Sequence, residues 1–313
     1  KEHVHTEIEK LMVYSFDSTF QNHLPEVLVK PHTVEETAAV VKAAAQYGIP
    51  LTVRGAGTCL SGGPVALEGG ILMEMTAFKR IIEINAAEGY AVVEPGVVTN
   101  ELIAAAEEKG LFYPPDPSSS GMSTVGGNVA ECAGGGRGVK YGVTRDYVLE
   151  LQLILPDGQC ITVGNKVDGL TGWLDLPMLF TGSEGTLAII TQITVRLLPK
   201  PQAIRTALVQ YAQLDAAAHT VSAIIGAGVV TTTIEIMDQM TLRAVENFLQ
   251  IGLDTSKAAF VLLEVDGEPQ EVELQLEQVI QICKENGAVE IQVAHDERER
   301  AALWKARKST SGA

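Results

Sequence analysis

The stretch Arg54-Gly-Ala-Gly-Thr-Cys-Leu-Ser-Gly-Gly63 decides the fold, because it is a glycine-rich loop that directly follows a predicted strand, Leu51-Thr-Val53. Its first two glycines match a dinucleotide-binding fingerprint, but Leu60 stands where the third glycine is required. The glycines after Ser61, together with Pro64, exclude the helix that a Rossmann fold places here. The loop also lacks the Gly-Lys-Ser/Thr ending of a Walker loop. Neither common nucleotide-binding motif explains it.

Backbone N–H groups are the chemistry that remains in this loop. Successive glycines leave these groups accessible, and Thr58 and Ser61 add two hydroxyls. A concave run of N–H groups binds an anion without needing a lysine. The loop therefore predicts an anion site, although one loop of this kind is weak evidence by itself.

Glycine is concentrated in one part of the chain. Of the 30 glycines, 23 lie between Gly55 and Gly185, and glycine inside strands and helices is destabilising. One interpretation is a loop-rich β domain with many turns; the other is backbone that approaches a flat or phosphorylated ligand closely. Two further glycine-rich loops, 114–136 and 181–186, favour the ligand, because three such loops joined to strands in one domain are hard to attribute to turns alone.

Hydrophobic periodicity predicts short strands and helices around these loops. Residues 1–16 read as a polar helix, and the glycine pairs of 114–136 as backbone that lies flat against a ligand. Thr33-Val-Glu-Glu36 is a capping box, which makes 26–54 a strand–helix–strand unit. Further elements are expected as strands at 71–75, 80–85, 91–94 and 187–198, a helix at 99–109, and a hairpin of 148–155 with 159–163.

Pro199-Lys-Pro201 is the best domain boundary in the sequence. Beyond it, strands and helices alternate steadily, which predicts a ferredoxin-like α+β layer. The strands are expected at 204–211, 231–236, 258–265 and 288–293, and the helices at 214–226, 238–250, 269–286 and 296–309.

Composition excludes several classes of protein. The chain of 313 residues has 23 basic and 39 acidic side chains and a net charge of −16, which argues against nucleic-acid binding. No apolar run reaches the roughly 18 residues of a membrane span, and no apolar signal core follows the first residues. The four cysteines are too widely spaced for CxxC-type metal sites or a disulfide framework. We therefore expect a cytoplasmic protein.

Four stretches together resemble a known family. They are RGAGTCLSGG (54–63), PPDPSS (114–119), STVGGNVAECAGG (123–135) and TGSEGTLAIIT (181–191). In this order they resemble the PCMH-type FAD-binding domain of the vanillyl-alcohol oxidase superfamily, in the branch of D-lactate dehydrogenases and glycolate oxidase flavin subunits. The resemblance implies an α+β fold in which a two-subdomain FAD-binding domain (23–199) follows an N-terminal helix (1–22). The first part of a ferredoxin-like cap, substrate-binding in the family, occupies 200–313.

The resemblance also implies which residues bind FAD. The backbone from Gly55 to Ser61 would cradle the pyrophosphate, the second loop would line the ribityl and isoalloxazine side, and the third would close around the rest of the cofactor. The physical reading agrees, because amides solvate a pyrophosphate and glycine backbone accommodates a planar ring. The expected set is Arg54, Gly55, Ala56, Gly57, Thr58, Ser61, Gly62, Pro117, Ser118, Gly121, Ser123, Thr124, Gly127, Asn128, Gly134, Gly135, Glu184, Gly185 and Ile190.

We expect the FAD to be held non-covalently. Several relatives attach it to a histidine placed just after the second glycine of the pyrophosphate loop, where this chain has Thr58. Cys59 comes next, but successive side chains of an extended loop alternate, so it is expected to face away from the ring. Cys132 is the other thiol of a flavin-lining segment and reads as a small buried filler.

Arg307 is the expected substrate-binding residue. Leu303-Trp-Lys-Ala-Arg307 resembles the family stretch in which an arginine grips the substrate carboxylate, and a guanidinium matches a carboxylate bidentately. An exposed helix arginine is the other interpretation. The six histidines are scattered, no GxSxG elbow is present, and no metal site is assigned.

The resemblance implies oxidation of a small 2-hydroxy acid, such as D-lactate or glycolate, by hydride transfer to the flavin. Electrons would pass to a quinone or a partner protein, such as an iron–sulfur subunit or an electron-transfer flavoprotein. The family's metal and base histidines lie in a segment resembling HxxGDGNxH, which this sequence lacks. We therefore expect a fragment of a longer enzyme, and its catalytic residues stay unassigned.

Two other functions remain open. One is a flavin-binding electron-transfer or assembly subunit without substrate chemistry of its own. The other is a flavin enzyme of cell-wall type, with a large phosphorylated substrate. The acidity of residues 201–313, with 16 acids and 9 bases, argues against the second.

Overall fold

The computed structural model describes residues 2–19, 21–170, 172–250 and 254–309. The chain divides into two units, the first comprising Lys1–Gly134 with Val143–Lys200 and the second Gly135–Gly142 with Pro201–Ala313. The short segment 135–142 thus belongs to the second unit, although it interrupts the first in sequence. Among the described residues, the helices are all too short or too polar to cross a membrane.

Short strands dominate the first unit, as expected for a chain interrupted by so many glycines. A 3-10 turn covers Thr144–Tyr147. The elements in chain order are β1 (Val4–His5), α1 (Ile8–Val13), β2 (Val27–Val29), α2 (Val34–Tyr47), β3 (Leu51–Arg54), β4 (Ile71–Glu74), β5 (Ile81–Asn85), β6 (Tyr90–Val93), α3 (Thr99–Glu107), β7 (Leu111–Phe112), α4 (Val125–Glu131), α5 (Gly138–Tyr141, in the second unit), β8 (Val148–Ile154), β9 (Cys160–Gly164), α6 (Leu176–Phe180), β10 (Ile189–Arg196) and β11 (Leu198–Pro199).

The first sheet has the order β1-β2-β4-β3, with β2 and β3 both parallel to β4. The predicted capping box forms in part, since the Thr33 side chain accepts a hydrogen bond from the N–H of Glu36 at 3.2 Å, and α2 ends at Gly48 with a φ of 63°. Because β3 ends at Arg54, the glycine-rich loop leaves the carboxyl end of a parallel strand. This is where α/β sheets bind ligands.

The prediction of one helix over 1–16 is wrong. Val4 and His5 pair antiparallel with β2, and the helix covers Ile8–Val13 alone. The sequence reading missed the strand because two residues are too short a run to show an alternating pattern. Lys1, where the helix was expected to begin, lies outside the described residues.

The second sheet is antiparallel, in the order β5-β6-β10-β8-β9, and contains the predicted β8–β9 hairpin. The reading of 114–136 as flat backbone is wrong over Val125–Glu131, where α4 forms, and the short helix α5 that follows was not expected. Helix α4 begins because the Thr124 hydroxyl accepts a hydrogen bond from the N–H of Gly127 at 3.2 Å. Gly126 has Pro95 against it, so this glycine serves close packing inside a helix rather than loop flexibility.

The second unit contains one antiparallel sheet with helices on both faces. Helices α7 and α9 pack on one face, around Val209 and Val261, and α8 and α10 pack on the other, around Leu208 and Phe260. The sheet order is β13-β14-β12-β15, the ferredoxin-like arrangement with α8 inserted between its second and third strands. The elements are β12 (Ala203–Tyr211), α7 (Leu214–Gly226), β13 (Thr233–Asp238), α8 (Gln239–Leu249), β14 (Ala259–Gly267), α9 (Pro269–Glu285), β15 (Ala288–Val293) and α10 (Glu297–Lys308).

Asp266 anchors the segment 135–142 in the second unit. This carboxylate is buried, with 4% of its surface exposed. Lys140 Nζ approaches Oδ1 at 2.5 Å, the Tyr141 hydroxyl donates at 2.9 Å, and the Thr232 hydroxyl donates at 2.6 Å. A buried carboxylate requires such partners, because an unpaired charge away from water is costly. The segment therefore supplies much of the compensation for this charge.

Candidate functional site

The three glycine-rich loops line one cleft in the first unit. The cleft encloses about 240 Å³, and most of its lining residues belong to the segments 53–64, 117–133 and 184–190. Met75 and Pro95 also contribute to its walls. The first and third loops are more than 100 residues apart in sequence, yet they line the same cavity. This arrangement is typical of a ligand site built at the ends of strands.

Thirteen of the nineteen residues expected to bind the cofactor line this cleft. They are Arg54, Gly55, Ala56, Gly57, Thr58, Pro117, Ser123, Thr124, Gly127, Asn128, Glu184, Gly185 and Ile190. The lining does not include Ser61, Gly62, Ser118, Gly121, Gly134 or Gly135. Two of these six have other local roles. Ser61 Oγ donates to Glu131 at 3.1 Å, and the N–H of Gly62 donates to Asp17 at 3.1 Å.

The backbone of the first loop has the chemistry of an anion site. Within the described part of the chain, the N–H groups of residues 55–60 donate no hydrogen bond to protein. Gly57 has a φ of 73°, a left-handed conformation that favours glycine. Successive N–H groups in such a loop can together surround a phosphate oxygen. The residues present therefore fit a pyrophosphate group.

Arg54 places a positive charge under this loop. A Cβ built on Gly57 would overlap the Arg54 guanidinium, so glycine is required for the two to pack. The guanidinium is held from below, since Nη1 donates to the carbonyl of Phe16 at 2.7 Å. Burial lowers the pKa of Arg54, and the charge of Asp17 opposes this shift. An arginine nevertheless stays protonated, so its charge stabilises an anion on the loop.

Close packing brings the second loop against the first. A Cβ on Gly55 would overlap the Thr124 hydroxyl, which caps α4. Ser123 and Asn128 belong to a buried network around Thr99: the Asn128 amide donates to Thr99 Oγ1 at 2.7 Å, and the Thr99 and Ser123 hydroxyls lie 2.9 Å apart. These two side chains therefore shape the cleft wall as well as line it.

The third loop is fixed to α4 by backbone hydrogen bonds. The N–H of Gly182 donates to the carbonyl of Val129 at 2.8 Å, and that of Glu184 to the carbonyl of Ala130 at 2.9 Å. Glu184 has a φ of 52°, an uncommon conformation for a residue other than glycine. Strained backbone of this kind is often found at functional sites. Gly185 follows it, and a Cβ built on this glycine would lie 3.7 Å from Val53.

Glu131 is a cleft residue that the sequence reading missed. It lies at the end of α4, where its Oε1 accepts from the Cys59 thiol at 3.0 Å and its Oε2 from Ser61 at 3.1 Å. The carboxylate thereby joins α4 to the first loop. Nothing in the sequence pointed to it, because a carboxylate is an unexpected neighbour for an anion site.

Thr58 and Cys59 both line the cleft. Strict alternation of side chains is a property of strands, and this loop turns through a positive φ at Gly57. That Cys59 faces away from the flavin ring stays a prediction. Cys132 is absent from the cleft lining, and its Sγ accepts a hydrogen bond from Arg145 Nε at 3.2 Å.

Arg307 lies in the second unit, where Glu235 binds it. Its Nε and Nη2 lie 3.0 Å and 2.9 Å from the same oxygen, Glu235 Oε2. Both side chains keep 22% of their surface exposed. The sequence analysis predicted Arg307 on a helix, as a substrate-binding residue, but it did not predict the contact with Glu235. That carboxylate belongs to a strand more than 70 residues away in the chain.

A second buried carboxylate positions helix α10. Glu264, with 2% of its surface exposed, accepts hydrogen bonds on Oε2 from Trp304 Nε1 at 2.7 Å, Thr206 Oγ1 at 2.6 Å and Arg300 Nη1 at 3.3 Å. Burial works to lower the pKa of Arg300, but Glu297 and Glu264 together raise it. Because Trp304 and Arg300 both belong to α10, Glu264 fixes the helix that carries Arg307.

Among the described residues, no histidine lines the cleft. No group of three or more His, Cys, Asp or Glu side chains is arranged to hold a metal ion among the residues that the structure describes.

Comparisons with known proteins identify both parts of the chain. A model described as "FAD binding domain" matches residues 25–164, and one described as "FAD linked oxidases, C-terminal domain" matches residues 200–313. Solved structures at 20–21% identity share the fold. An alkyldihydroxyacetonephosphate synthase has a TM-score of 0.81 and matches 98% of this chain and 64% of its own chain. A p-cresol methylhydroxylase has a TM-score of 0.80 and matches 99% of this chain and 66% of its own chain.

Curated relatives cover nearly the whole sequence. The glycolate oxidase subunit GlcD of Bacillus subtilis is 44% identical over 303 residues, 96% of this chain and 64% of that protein. GlcD of Escherichia coli K12 is 37% identical over 98% of this chain and 61% of that protein. A D-lactate dehydrogenase of Anaerostipes hadrus is 36% identical over 90% of this chain and 61% of that protein. The chain spans less than two thirds of the length of these relatives.

Proposed function

Because the chain belongs to the FAD-linked oxidases, with a PCMH-type FAD-binding domain and FAD as its cofactor, we propose that it oxidises a small 2-hydroxy acid of the glycolate or D-lactate type. The observation that carries the proposal is the cleft, whose first loop offers unpaired backbone N–H groups above the charge of Arg54. Similarity to proteins named glycolate oxidase subunit and D-lactate dehydrogenase supports the substrate class.

Different residues of the cleft would contact different parts of FAD. The N–H groups from Gly55 to Leu60 would bind the pyrophosphate, with Arg54 supplying the opposite charge from below. The walls formed by Pro117, Gly127 and Ile190 would exclude water from the flat ring. When bound, FAD supplies a two-electron acceptor for the hydrogen on the carbon that bears the substrate hydroxyl.

Arg307 would bind and orient the carboxylate of the hydroxy acid. A guanidinium fork matches a carboxylate in both geometry and charge, and a fifth of this side chain is exposed. Glu264 holds the same helix through Trp304, which would keep the fork in place. Electrons would leave through a partner of redox type, an iron–sulfur subunit or an electron-transfer flavoprotein.

Anaerobic reduction by substrate tests the proposed activity. The FAD-loaded protein, in its full-length form, is expected to lose its yellow colour on addition of glycolate or D-lactate, while acetate, which has no hydroxyl to oxidise, leaves the colour unchanged. The measurement is the flavin absorbance under anaerobic conditions. A protein that stays yellow with every hydroxy acid, yet bleaches with dithionite, would instead be a flavin subunit without substrate chemistry of its own.

Non-covalent attachment of FAD is the second prediction for this site. Thr58 is not a nucleophile strong enough to form the link, and the Cys59 thiol is held by Glu131 at 3.0 Å. Acid precipitation is therefore expected to leave a colourless pellet and a yellow supernatant. Cys59→Ser, as a matched variant, should behave in the same way. A yellow pellet whose peptide carries the mass of FAD would reassign the modified cysteine as a cofactor-binding residue.

A further inference from the structure

The Arg307 fork already holds a carboxylate that belongs to the protein. Nε and Nη2, which form one edge of the guanidinium, both bind Glu235 Oε2, at 3.0 Å and 2.9 Å. This is the type of edge that a substrate carboxylate would use. Glu235 is therefore a chemical mimic of the group that Arg307 is proposed to bind.

The backbone of Glu235 is fixed by its strand. Glu235 belongs to the middle of β13 and pairs with Leu262 of β14. Any rearrangement that frees the Arg307 fork must therefore come from the Glu235 side chain.

We propose that Glu235 is a positioning residue that sets the affinity for hydroxy acid by neutralising Arg307, an inference that rests on the proposed function. A substrate anion that approaches the pair meets a net charge of zero instead of one positive charge. It must either displace Glu235 from the fork or bind beside it as a like charge. Both routes cost free energy, so the wild-type protein binds its substrate more weakly than an unopposed arginine would.

The magnitude follows from charge and exposure. Like charges that lie close together repel, and solvent screening at partly exposed groups reduces this repulsion severalfold. We therefore expect removal of the Glu235 charge to lower the KM for glycolate or D-lactate by roughly fivefold. Turnover, kcat, should change by less than about twofold, because the carboxylate lies on the binding arginine and not on the reacting carbon.

Glu235→Gln in the full-length, FAD-loaded protein tests the inference. The amide keeps an acceptor oxygen in place and removes only the charge. Glu235→Asp keeps the charge and is expected to retain a KM near that of the wild type. Glu273→Gln is the matched control, since it also removes one acidic charge from an ion pair of the same unit, that with Arg205 at 2.7 Å, and should leave the KM unchanged. Flavin content measured for each variant checks that it has folded.

Salt and a double variant separate a charge effect from a structural one. The difference in KM between wild type and Glu235→Gln should shrink as ionic strength rises. In an Arg307→Ala background, Glu235→Gln should no longer lower the KM, because the two residues act as a coupled pair. A merely structural role of Glu235 would produce neither result.

The outcomes are distinct. An unchanged or raised KM in Glu235→Gln, in a protein where Arg307→Ala does weaken binding, overturns the inference and leaves the proposed function standing. An unchanged KM in Arg307→Ala removes the arginine from substrate binding and overturns the inference, whereas the proposed function fails only if no hydroxy acid reduces the flavin. A lower KM in Glu235→Gln that disappears in the double variant supports the coupling.

Discussion

Gly57→Val is expected to abolish FAD binding, so the purified protein should be colourless and take up no added FAD. Three effects act together. Valine is a poor fit to a φ of 73°. Its Cβ would overlap the guanidinium of Arg54, which is held by the carbonyl of Phe16. Its methyl groups would also enter the space where the N–H groups of the loop meet the pyrophosphate.

Gly110→Val is the matched control for this prediction. Gly110 belongs to the same unit and has nearly the same φ, 71°, but no heavy atom lies within 4 Å of its Cβ position. It imposes the same backbone strain, about 1–2 kcal/mol, away from the cleft. Flavin absorbance after saturation with FAD should therefore be retained in Gly110→Val and absent in Gly57→Val. If Gly57→Val binds FAD at the wild-type ratio of about 1:1, the first loop is not the pyrophosphate site.

Arg307→Ala is expected to weaken hydroxy-acid binding by at least about tenfold in the full-length enzyme, without loss of FAD. A hydrogen bond to a charged group contributes roughly 1.5–3 kcal/mol, and tenfold corresponds to about 1.4 kcal/mol.

Arg205→Ala provides the comparison for Arg307. Arg205 is likewise an arginine of the second unit with an acidic partner, Glu273 at 2.7 Å, but it is 42% exposed and lies on β12. Exposed pairs contribute little, so its KM should stay near the wild-type value. The readouts are the KM for glycolate and D-lactate and the flavin content. Equal KM values for Arg307→Ala and the wild type would remove Arg307 from the substrate site.

Much of the fold could be predicted because its determinants are local. From β12 to α10, each helix and strand of the second unit was expected within a few residues of its observed bounds, since apolar spacing and turn residues repeat there without interruption. In the first unit, the capping residue Thr33 and the stop at Gly48 marked α2 correctly. The elements that were missed include β1, β7, α4, α5 and α6, which are all short, so that tertiary contacts decide them.

The candidate site could be predicted in its backbone and not in its side-chain partners. Glycine-rich loops are visible in a sequence, and the residues of the first loop from Arg54 to Thr58 do line the cleft. The roles of Glu131 and Glu235 depend on contacts with residues about 70 positions away in the chain. Such pairing leaves no local pattern. It requires the topology of the sheets, which sequence spacing alone does not supply.

The partners that stabilise the buried charge of Asp266 limit where the two units can be separated by recombination. Its buried charge depends on Lys140 and Tyr141, which are encoded in the middle of the cofactor-binding sequence. A gene fusion or domain exchange with its junction at Pro201 would carry Asp266 without these partners, and removing one partner of a buried charge costs roughly 3–5 kcal/mol. Recombination at the apparent linker is therefore disfavoured. An exchange that keeps the charge of Asp266 compensated would have to include the eight-residue segment 135–142, which lies upstream of that junction.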